Sequence, residues 1–471
     1  METSEVSKTL PVRNPRTGKY DFNLELTDPA DLPAIAERLR KNQERWEQLG
    51  LEGRLDVLNA WRQEVAKKHD AILAALIEDT GRVVESEKEM LRLPSSIDKL
   101  AIMAREVFAG RKATLRSMKN VEVQGGLSAF PLVGVISPWN FPLSSSLLDT
   151  IPALVAGCTA IVKPSEVTPR FVQPLVDTIR KIPEIEAVLH YVSGGREVGE
   201  ALINTVDAVC FTGSAATGQK VAEAAGKAFI PAFLELGGKD PAIVTASADL
   251  DKAAASLLAG SVANAGQVCV SIERIYVAQD VADAFVDRLV DKARQVKIAY
   301  PTVKDGTLGP IITESQAHII NRHLRDAVQK GAAIRCGGEV TERAGGWWAE
   351  PTVITGVDHS MELMTDETFG PIMPIMAFTH VDDAIKLAND SSYGLSAAVF
   401  AGSTDEALAI AKRVQVGAVS INSTGLGTAA IGEGDFHEKN AFKRSGLSGS
   451  RLGYDSITRF TRKKAYLIAH A

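Results

Sequence analysis

Three segments of the chain carry side chains that suit acyl chemistry: a thiol, a carboxylate and an amide. Cys269 follows a glycine and lies among small residues, Glu235 ends an apolar run, and Asn140 stands between two prolines in Pro138–Pro142. A thiolate is a strong nucleophile, and small neighbours let a substrate approach it. A carboxylate at a strand end can act as a general base, and a rigid amide N–H can donate to a developing oxyanion.

The other three cysteines are expected to be structural. Cys158 and Cys210 lie in apolar strand patterns, Cys336 lies in a glycine-containing turn, and no two cysteines form a CxxC pair. This usage predicts free thiols in a reducing compartment rather than a disulfide framework or a zinc site. We therefore expect no metal and single out Cys269 alone as reactive.

Two further segments indicate a dinucleotide. Lys163 and Glu166 follow an apolar strand, where a carboxylate can accept from both ribose hydroxyls. The same carboxylate would repel a 2′-phosphate, so the sequence favours NAD, with NADP possible. Phe211–Ser214 opens a helix whose first N–H groups suit a pyrophosphate, although the spacing is neither GxGxxG nor a P-loop.

The elements that must position these residues alternate along the chain. Helical periodicity covers about 29–109, and from residue 132 onwards short apolar strands alternate with helices in two successive sets. A chain of 471 residues is too long for one core. The pattern predicts an α/β protein with two doubly wound domains, a Rossmann-like cofactor domain and a catalytic domain.

Composition excludes several classes of partner. The net charge of -6 argues against a nucleic-acid surface, and the most apolar window, 143–162, contains Asp149, Pro152 and Gly157, which argues against a membrane span. No apolar core follows a basic start at the N-terminus, so we expect no signal peptide and a cytoplasmic location.

The order of these segments resembles the aldehyde dehydrogenase superfamily, non-acylating type, across nearly the whole length. The matching segments are Pro138–Pro142, Lys163–Glu166, Phe211–Ser214, Glu235–Lys239, Gly266–Cys269 with Arg274, Glu367–Pro371, Tyr393–Ser396 and Asn422. The resemblance implies NAD(P)-dependent oxidation of a small-molecule aldehyde to the carboxylic acid, through a thiohemiacetal and a thioester.

The resemblance also implies a role for each catalytic residue. Cys269 attacks the carbonyl, the Asn140 side chain and the Cys269 backbone N–H hold the oxyanion, and hydride passes to the nicotinamide. Glu235 then activates water to release the acid. Lys239 and Arg274 are expected to support the site.

For the cofactor, the resemblance assigns Lys163 and Glu166 to the adenine ribose, Ser214 to the pyrophosphate, and Glu367 and Phe369 to the nicotinamide end. The other residues of the matching segments that we assign to the cofactor crevice are Pro138, Trp139, Phe211, Gly213 and Leu236.

Domain limits follow from the alternation and the resemblance together. Residues 1–117 and 138–245 are predicted to form the NAD-binding domain and residues 246–435 the catalytic domain. A small β element for oligomerisation comprises 118–137 and 455–471, and a substrate-entrance loop with a return segment covers 436–454. The family builds dimers and tetramers, so a homodimer or homotetramer is expected.

One loop departs from the family. Many members carry Pro-Phe-Gly-Gly before Lys-x-Ser-Gly, but here 438–441 reads Glu-Lys-Asn-Ala, with Phe436, His437 and Phe442 nearby. We hypothesise an altered tunnel mouth. Two other functions remain as alternatives: a CoA-acylating aldehyde dehydrogenase, which Glu235 disfavours, and a cofactor-free thiol hydrolase, which the absence of a histidine in these motifs disfavours.

Overall fold

The computed structural model describes residues 9–114, 117–426 and 437–470 of the chain. In these ranges the chain is an α/β protein with two large, mainly parallel sheets, and the predicted fold class is confirmed. Phe436, at the start of the atypical loop, lies outside the described residues.

Amphipathic helices precede the first large sheet and cover it. The elements of this region are β1 (Thr9–Arg13), β2 (Tyr20–Glu25), α1 (Leu32–Gln48), α2 (Gly50–Lys67), α3 (His69–Thr80), α4 (Val84–Phe108), β3 (Arg111–Thr114) and β4 (Val121–Ala129). Leu32, Leu39 and Trp46 recur at seven-residue intervals on α1 and are all buried. The Trp46 indole N–H donates to the carbonyl of Leu154 at 2.9 Å, so α1 packs directly against the sheet's own helices.

The first large sheet is doubly wound. Its elements are β5 (Leu132–Ile136), α5 (Pro142–Leu148), α6 (Thr150–Ala156), β6 (Thr159–Lys163), α7 (Val172–Ile179), α8 (Pro183–Glu186), β7 (Leu189–Tyr191), α9 (Arg196–Ile203), β8 (Ala208–Thr212), α10 (Ala215–Ala228) and β9 (Ala232–Glu235). These strands pair in parallel in the order β9-β8-β5-β6-β7. Because the chain leaves β5 towards β6 and returns to β8 on its other side, the carboxyl ends of β5 and β8 form the switch point where such sheets bind ligands.

Two helices, α5 and α6, meet at Asp149 within the apolar window 143–162. Pro152 lacks the N–H that would bond to the carbonyl of Leu148, so the helix cannot run through this point. The break leaves the Asp149 side chain buried, where Arg451 donates to it from Nε at 3.0 Å and from Nη2 at 2.6 Å. Arg459 donates to the same carboxylate.

The second large sheet is also mainly parallel. Its region contains β10 (Asp240–Val244), α11 (Leu250–Val262), β11 (Ile272–Ala278), α12 (Ala282–Ala293), α13 (Glu314–Gln329), β12 (Ala333–Cys336), β13 (Val340–Arg343), β14 (Gly346–Ala349), β15 (Thr352–Thr355), α14 (Glu362–Thr365), β16 (Ile372–Phe378), α15 (Val381–Asn389), β17 (Tyr393–Gly394), β18 (Ser396–Phe400), α16 (Thr404–Ala411) and β19 (Ala418–Ile421). In the described ranges the order of this sheet is β12-β15-β16-β11-β10-β18-β19.

Two of the predicted domain boundaries therefore differ from those in the structure. β10 pairs with β11 and β18, so the change of sheet falls between Glu235 and Asp240, before the predicted limit at residue 245. β5, which the prediction placed in the 118–137 oligomerisation segment, is the central strand of the first sheet. In both cases the sequence shows a strand but carries no local signal of the sheet that it joins.

The segment after residue 437 returns to the first half of the molecule. It contains β20 (Phe442–Lys443), β21 (Gly446–Leu447), α17 (Asp455–Thr458) and β22 (Thr461–Ala469). β21 pairs with β9 at the edge of the first sheet, and β22 pairs along its length with β4. The predicted strand 458–468 thus begins three residues later, after a helical turn.

In the described part of the chain, no helix combines the length and the apolar character that a bilayer crossing requires. The histidine, cysteine and acidic side chains of the same residues form no cluster able to hold a metal ion.

We predict that Asp149→Asn lowers the free energy of unfolding by about 3–5 kcal/mol, because it leaves two buried arginines without their counter-charge. Burial opposes ionisation of Asp149, but Arg451 and Arg459 outweigh it and hold its pKa below the ordinary 3.8. The contribution should therefore be present at neutral pH and be lost as the pH falls below about 4. Urea denaturation at pH 7 measures the difference.

Asp98→Asn is the matched control, because the Asp98 side chain is 52% exposed and pairs with Arg62 on the surface. Its loss should cost less than about 1 kcal/mol. Equal effects of the two substitutions would contradict the assignment of a structural role to the buried cluster.

Candidate active site

The two large sheets meet at the site. β9 ends at Glu235 and β10 begins at Asp240, so the carboxyl ends of the first sheet's strands lie next to the amino ends of the second sheet's strands. The four predicted cofactor segments follow β5, β6, β8 and β9, and the Cys269 loop and Glu367 precede β11 and β16. The fold therefore gathers at one seam the segments that the sequence singled out.

The crevice beside β8 is narrow and has a helix start at its rim. A Cβ on Gly213 would lie 2.5 Å from the ring of Phe211, and one on Gly218 would lie 2.4 Å from the side chain of Leu236. Ser214 caps α10, its hydroxyl accepting from the N–H of Thr217 at 3.3 Å. Glycine thus allows α10 to pack against the strand end, with its first N–H groups free for a phosphate.

Lys163 and Glu166 form an ion pair at the carboxyl end of β6. The Lys163 ammonium is buried and donates to Glu166 Oε2 at 3.3 Å and to the carbonyl of Pro164 at 3.2 Å. The Glu166 side chain remains 36% exposed. The lysine holds one carboxylate oxygen, and the other can accept from ribose hydroxyls.

An aromatic pair closes the seam. Trp139, which follows Pro138 after β5, and Phe369, which precedes β16, meet edge to face with ring centroids 5.6 Å apart. Phe369 has a φ of 51°, in the left-handed region, which turns its ring back towards the first sheet. A residue from each sheet therefore contributes to one wall of the crevice.

The Cys269 loop has an uncommon backbone. Asn264, Ala265 and Gly266 are consecutive residues with φ of 51°, 54° and 74°. A Cβ on Gly266 would lie 2.1 Å from the carbonyl carbon of Gly370, so only glycine fits there. Strain in non-glycine residues of this kind persists where surrounding structure fixes it, and it clusters at functional sites.

Asn140 is hydrogen-bonded to this loop. Its Nδ2 donates to the carbonyl of Gln267 at 3.0 Å, and the Asn264 side chain donates to the carbonyl of Asn140 at 3.1 Å. Asn140 is buried, and one of its two amide hydrogens remains available after the bond to Gln267. The Asn140 amide is therefore held by the carbonyl of a residue that lies two positions before Cys269.

The thiol of Cys269 is protonated at neutral pH in this environment. The residue is partly accessible, but burial raises the pKa of the thiol to about 11. The Lys439 ammonium lowers this pKa, whereas the carboxylates of Glu235, Asp240 and Glu367 raise it. Glu235 and Cys269 are thus close enough to interact electrostatically.

Glu367 lies beside the glycines that follow Glu235. It accepts from the N–H of Gly238 at 3.1 Å, and a Cβ on Gly237 would lie 2.3 Å from its Oε2. Burial, followed by the negative charge of Glu273, raises the pKa of Glu367 to about 8. Its carboxyl therefore carries a proton through much of the neutral range and can donate as well as accept.

Lys239 and Arg274 fix the strand starts. Lys239 Nζ donates to Glu273 Oε2 at 2.6 Å and to Thr368 Oγ1 at 3.0 Å, and the lysine is fully buried. Arg274 donates from Nε to the carbonyl of Lys239 at 2.9 Å and from Nη2 to that of Ala388 at 2.9 Å. Their positions agree with the supporting roles that the sequence resemblance implied.

Several residues at the site were missed from the sequence. Glu273 joins three loops, Arg92 of α4 interacts electrostatically with Cys269, and Arg451 donates to Thr212 Oγ1 at 2.8 Å. Lys439 was noted only as part of a departure from the family pattern. Arg92 and Arg451 come from segments remote from the motifs, whereas Glu273 directly precedes Arg274. An isolated charged residue gives no sequence signal of what it will face.

Comparisons with known proteins all identify the same family. The model of the aldehyde dehydrogenase family matches residues 2–466. The chain is 34% identical over 476 residues to "Putative succinate-semialdehyde dehydrogenase (NADP+)" of Mycolicibacterium smegmatis, which covers 98% of this chain and 89% of that protein.

Solved structures agree. "Putative Aldehyde Dehydrogenase PutA" from Anabaena variabilis is 52% identical with a TM-score of 0.95, covering 98% of each chain. Betaine aldehyde dehydrogenase from Staphylococcus aureus, solved in complex with NAD+, is 28% identical with a TM-score of 0.91, covering 98% of this chain and 91% of that one.

We predict that alkylation of Cys269 by iodoacetamide in the ligand-free protein rises with pH towards a midpoint near 11, against the ordinary thiol value of 9.0. Only the thiolate reacts, so reaction at pH 8 should be slow. Peptide mass spectrometry resolves Cys269 from the other cysteines and gives its rate at each pH.

Lys439→Gln should raise the midpoint further, since it removes the cation that favours the thiolate. Lys227→Gln, an exposed lysine on α10, serves as the control and should leave the midpoint unchanged. A midpoint below 8 in the unmodified protein would contradict the description of the site.

Proposed function

Because this chain belongs to the aldehyde dehydrogenase family, whose members oxidise aldehydes with NAD or NADP, we propose that Cys269, Asn140 and Glu235 perform that oxidation here. The observation that carries the proposal is their meeting at the seam beside the dinucleotide crevice. Asn140 bonds to the loop of Cys269, and Glu235 interacts with the thiol.

In the first half of the reaction, Cys269 gives its proton to solvent water and its sulfur bonds to the aldehyde carbon. The carbonyl oxygen becomes an oxyanion, and the free amide hydrogen of Asn140 with the Cys269 backbone N–H stabilises it. Loss of such a donor typically costs about 100–1000-fold in rate. Because Asn140 is already held by Gln267, it needs no rearrangement to donate.

Bound NAD or NADP supplies the acceptor for the hydride that leaves the substrate carbon. That loss converts the hemithioacetal at Cys269 into a thioester. Glu235 then takes a proton from water, the hydroxide adds to the thioester carbon, and the carbon–sulfur bond breaks. The products are the carboxylic acid and the free thiolate of Cys269.

The residues around the thiol support this reaction over the two alternatives. Water as the acceptor of the acyl group requires a base, and Glu235 is in position for that role, which favours hydrolysis over transfer to CoA. The charged groups acting most strongly on the thiol are Lys439 and the carboxylates of Glu235, Asp240 and Glu367. A thiol hydrolase would need a histidine in their place.

We propose NAD as the preferred cofactor. The exposed oxygen of Glu166 suits the two ribose hydroxyls and would repel a 2′-phosphate, which supports NAD. The M. smegmatis relative is named as an NADP+ enzyme, whereas the S. aureus structure contains NAD+. The names of these relatives include both cofactors, and the charge of Glu166 supports NAD for this chain.

We also propose that the protein is a cytoplasmic homo-oligomer. β22 is the edge of a sheet ordered β22-β4-β3 in the described ranges, and its Leu467 and Tyr466 side chains are 69% and 47% exposed. An open edge with apolar side chains is suited to pairing with a second copy. The four cysteines are all free, which agrees with a reducing compartment.

Names of relatives point to two opposite substrate charges. Succinate semialdehyde, in the name of the M. smegmatis protein, is an anion, and betaine aldehyde, in the name of the S. aureus protein, is a cation. The choice for this chain must come from the charges along its own substrate path.

We predict that Glu235→Gln retains the first burst of reduced cofactor, near one per active site, and slows steady-state turnover by about 100-fold or more. Only deacylation needs the base, so the first hydride transfer should be spared. Stopped-flow absorbance of the reduced nicotinamide separates the two phases.

Glu200→Gln is the control, since Glu200 is exposed on α9 and paired with Arg196. It should leave both phases unchanged, and Cys269→Ala should abolish both. Loss of the burst in Glu235→Gln would show that the role assigned to Glu235 is wrong.

We predict that Glu166→Ser raises the ratio of kcat/KM for NADP to that for NAD by about tenfold or more, since it removes a charge that repels the 2′-phosphate. Glu223→Ser, an exposed change on α10, should not alter the ratio. Preference of the unmodified enzyme for NADP would contradict the proposal.

A further inference from the structure

Arg92 of α4 lies near enough to Cys269 to interact with it electrostatically. It is half-buried, and no hydrogen bond or ion pair of its guanidinium occurs among residues 9–114, 117–426 and 437–470. The guanidinium carries a permanent charge and five donors in a planar fork. Its nitrogen atoms are not among the buried atoms that lack a partner in those ranges, so solvent reaches them and an anionic ligand can replace that solvent.

Arg92 lines a small cavity between α4 and α5. The lining residues are Glu89, Arg92, Ser96, Ser144, Leu147 and Leu148. The hydroxyl of Ser144 is buried and also lacks a hydrogen-bond partner within the described residues. Two polar side chains without a hydrogen-bond partner in the described residues, one of them charged, thus face one cavity. Its volume of about 10 Å³ admits one oxygen atom of a larger ligand, the rest of which would lie outside it.

Glu89, the acidic residue in this cavity, acts on Arg92 through its charge but forms no hydrogen bond with it in the described residues. Glu89 Oε1 accepts from Arg82 Nη2 at 3.1 Å, and Glu89 Oε2 accepts from the N–H of Ser144 at 2.9 Å. Arg82 is fully buried with Glu89 and forms an ion pair with it. Glu85, also near Arg82, binds the N–H of Asn264 instead. The donors of Arg92 are therefore open to a ligand.

The cavity is adjacent to the reaction centre. Ser144 follows Asn140 by four residues, and Arg92 interacts electrostatically with Cys269. Burial lowers the pKa of Arg92, and Glu89, followed by Cys269, opposes that effect. A second cation, Lys439, acts on the same thiol from the atypical loop. The carboxyl groups of Glu235, Asp240 and Glu367 act on the thiol as well.

We propose that Arg92 and Ser144 form a carboxylate-binding subsite, and that the substrate is an aldehyde that carries a carboxylate at its other end. The proposal rests on the function proposed for Cys269. The guanidinium and the Ser144 hydroxyl donate to the carboxylate while the aldehyde carbon reaches the sulfur. The product is a dicarboxylate.

The same charges disfavour a cationic aldehyde. A quaternary ammonium group is recognised by aromatic faces or by carboxylates. Here it would meet Arg92, and the carboxylate that lines the cavity, Glu89, is already paired with Arg82. A neutral aldehyde would leave the Ser144 hydroxyl without a partner and the Arg92 guanidinium to solvent. Carboxylated, neutral and cationic aldehydes of similar size can therefore be compared to distinguish the three substrate classes.

The test compares 4-oxobutanoate, butanal and trimethylammonio-acetaldehyde as substrates of the full-length enzyme. We expect the highest kcat/KM for 4-oxobutanoate. Arg92→Gln should lower its kcat/KM by about 10- to 100-fold, mainly through KM, and change that of butanal by less than about threefold. Arg92→Lys should recover part of the loss, and Ser144→Ala should lower only the 4-oxobutanoate value.

A binding measurement keeps the test independent of turnover. Butanedioate, which resembles the product, should inhibit butanal oxidation, and Arg92→Gln should raise its inhibition constant at least about tenfold. Arg105→Gln is the control, because Arg105 is exposed on the same helix and paired with Glu52. Thermal melting checks that each variant folds.

The possible outcomes distinguish failure of the subsite from failure of the function proposed for Cys269. Preference for the cationic aldehyde, equal losses on 4-oxobutanoate and butanal in a folded Arg92→Gln, or unchanged inhibition by butanedioate would each overturn the subsite. Loss of the reduced-cofactor signal with every aldehyde in the unmodified enzyme would instead refute the function proposed for Cys269.

Discussion

The buried carboxylate of Glu273 is the interaction on which the site depends. It accepts from the N–H groups of Thr368 and Phe369, each at 2.7 Å, and from the Lys239 ammonium at 2.6 Å. These donors lie at the amino ends of β10 and β16, and Glu273 itself lies at that of β11. One charge therefore holds three chain segments in register, and Lys239 compensates the cost of burying it.

Much of the fold was predictable because its signals are local. Short apolar strands alternating with helices define a doubly wound sheet, and the rule that such sheets bind ligands at strand carboxyl ends places Asn140, Lys163 and Ser214 on one side. These residues lie next to glycine or proline, whose conformational limits are visible in the sequence. The structure brings all of these segments to one seam, as that rule requires.

The sequence did not predict which distant segments pair with one another. β10 resembles the strands before it, yet it joins the other sheet, because sheet membership depends on contacts formed far along the chain. The β13–β14 hairpin is too short for its periodicity to stand out. Glu273 and Arg92 are single charged residues on a strand and a helix. In the sequence they look like any solvent-exposed charged residue. Only the surfaces packed against them in the structure distinguish them.

The bond between Asp149 and Arg451 spans 302 residues. Arg451 also holds Thr212 at the end of β8, so the rim of the crevice takes its final form only after residue 451 has been synthesised. A shorter nascent chain in which both parallel sheets were complete would still lack this clasp.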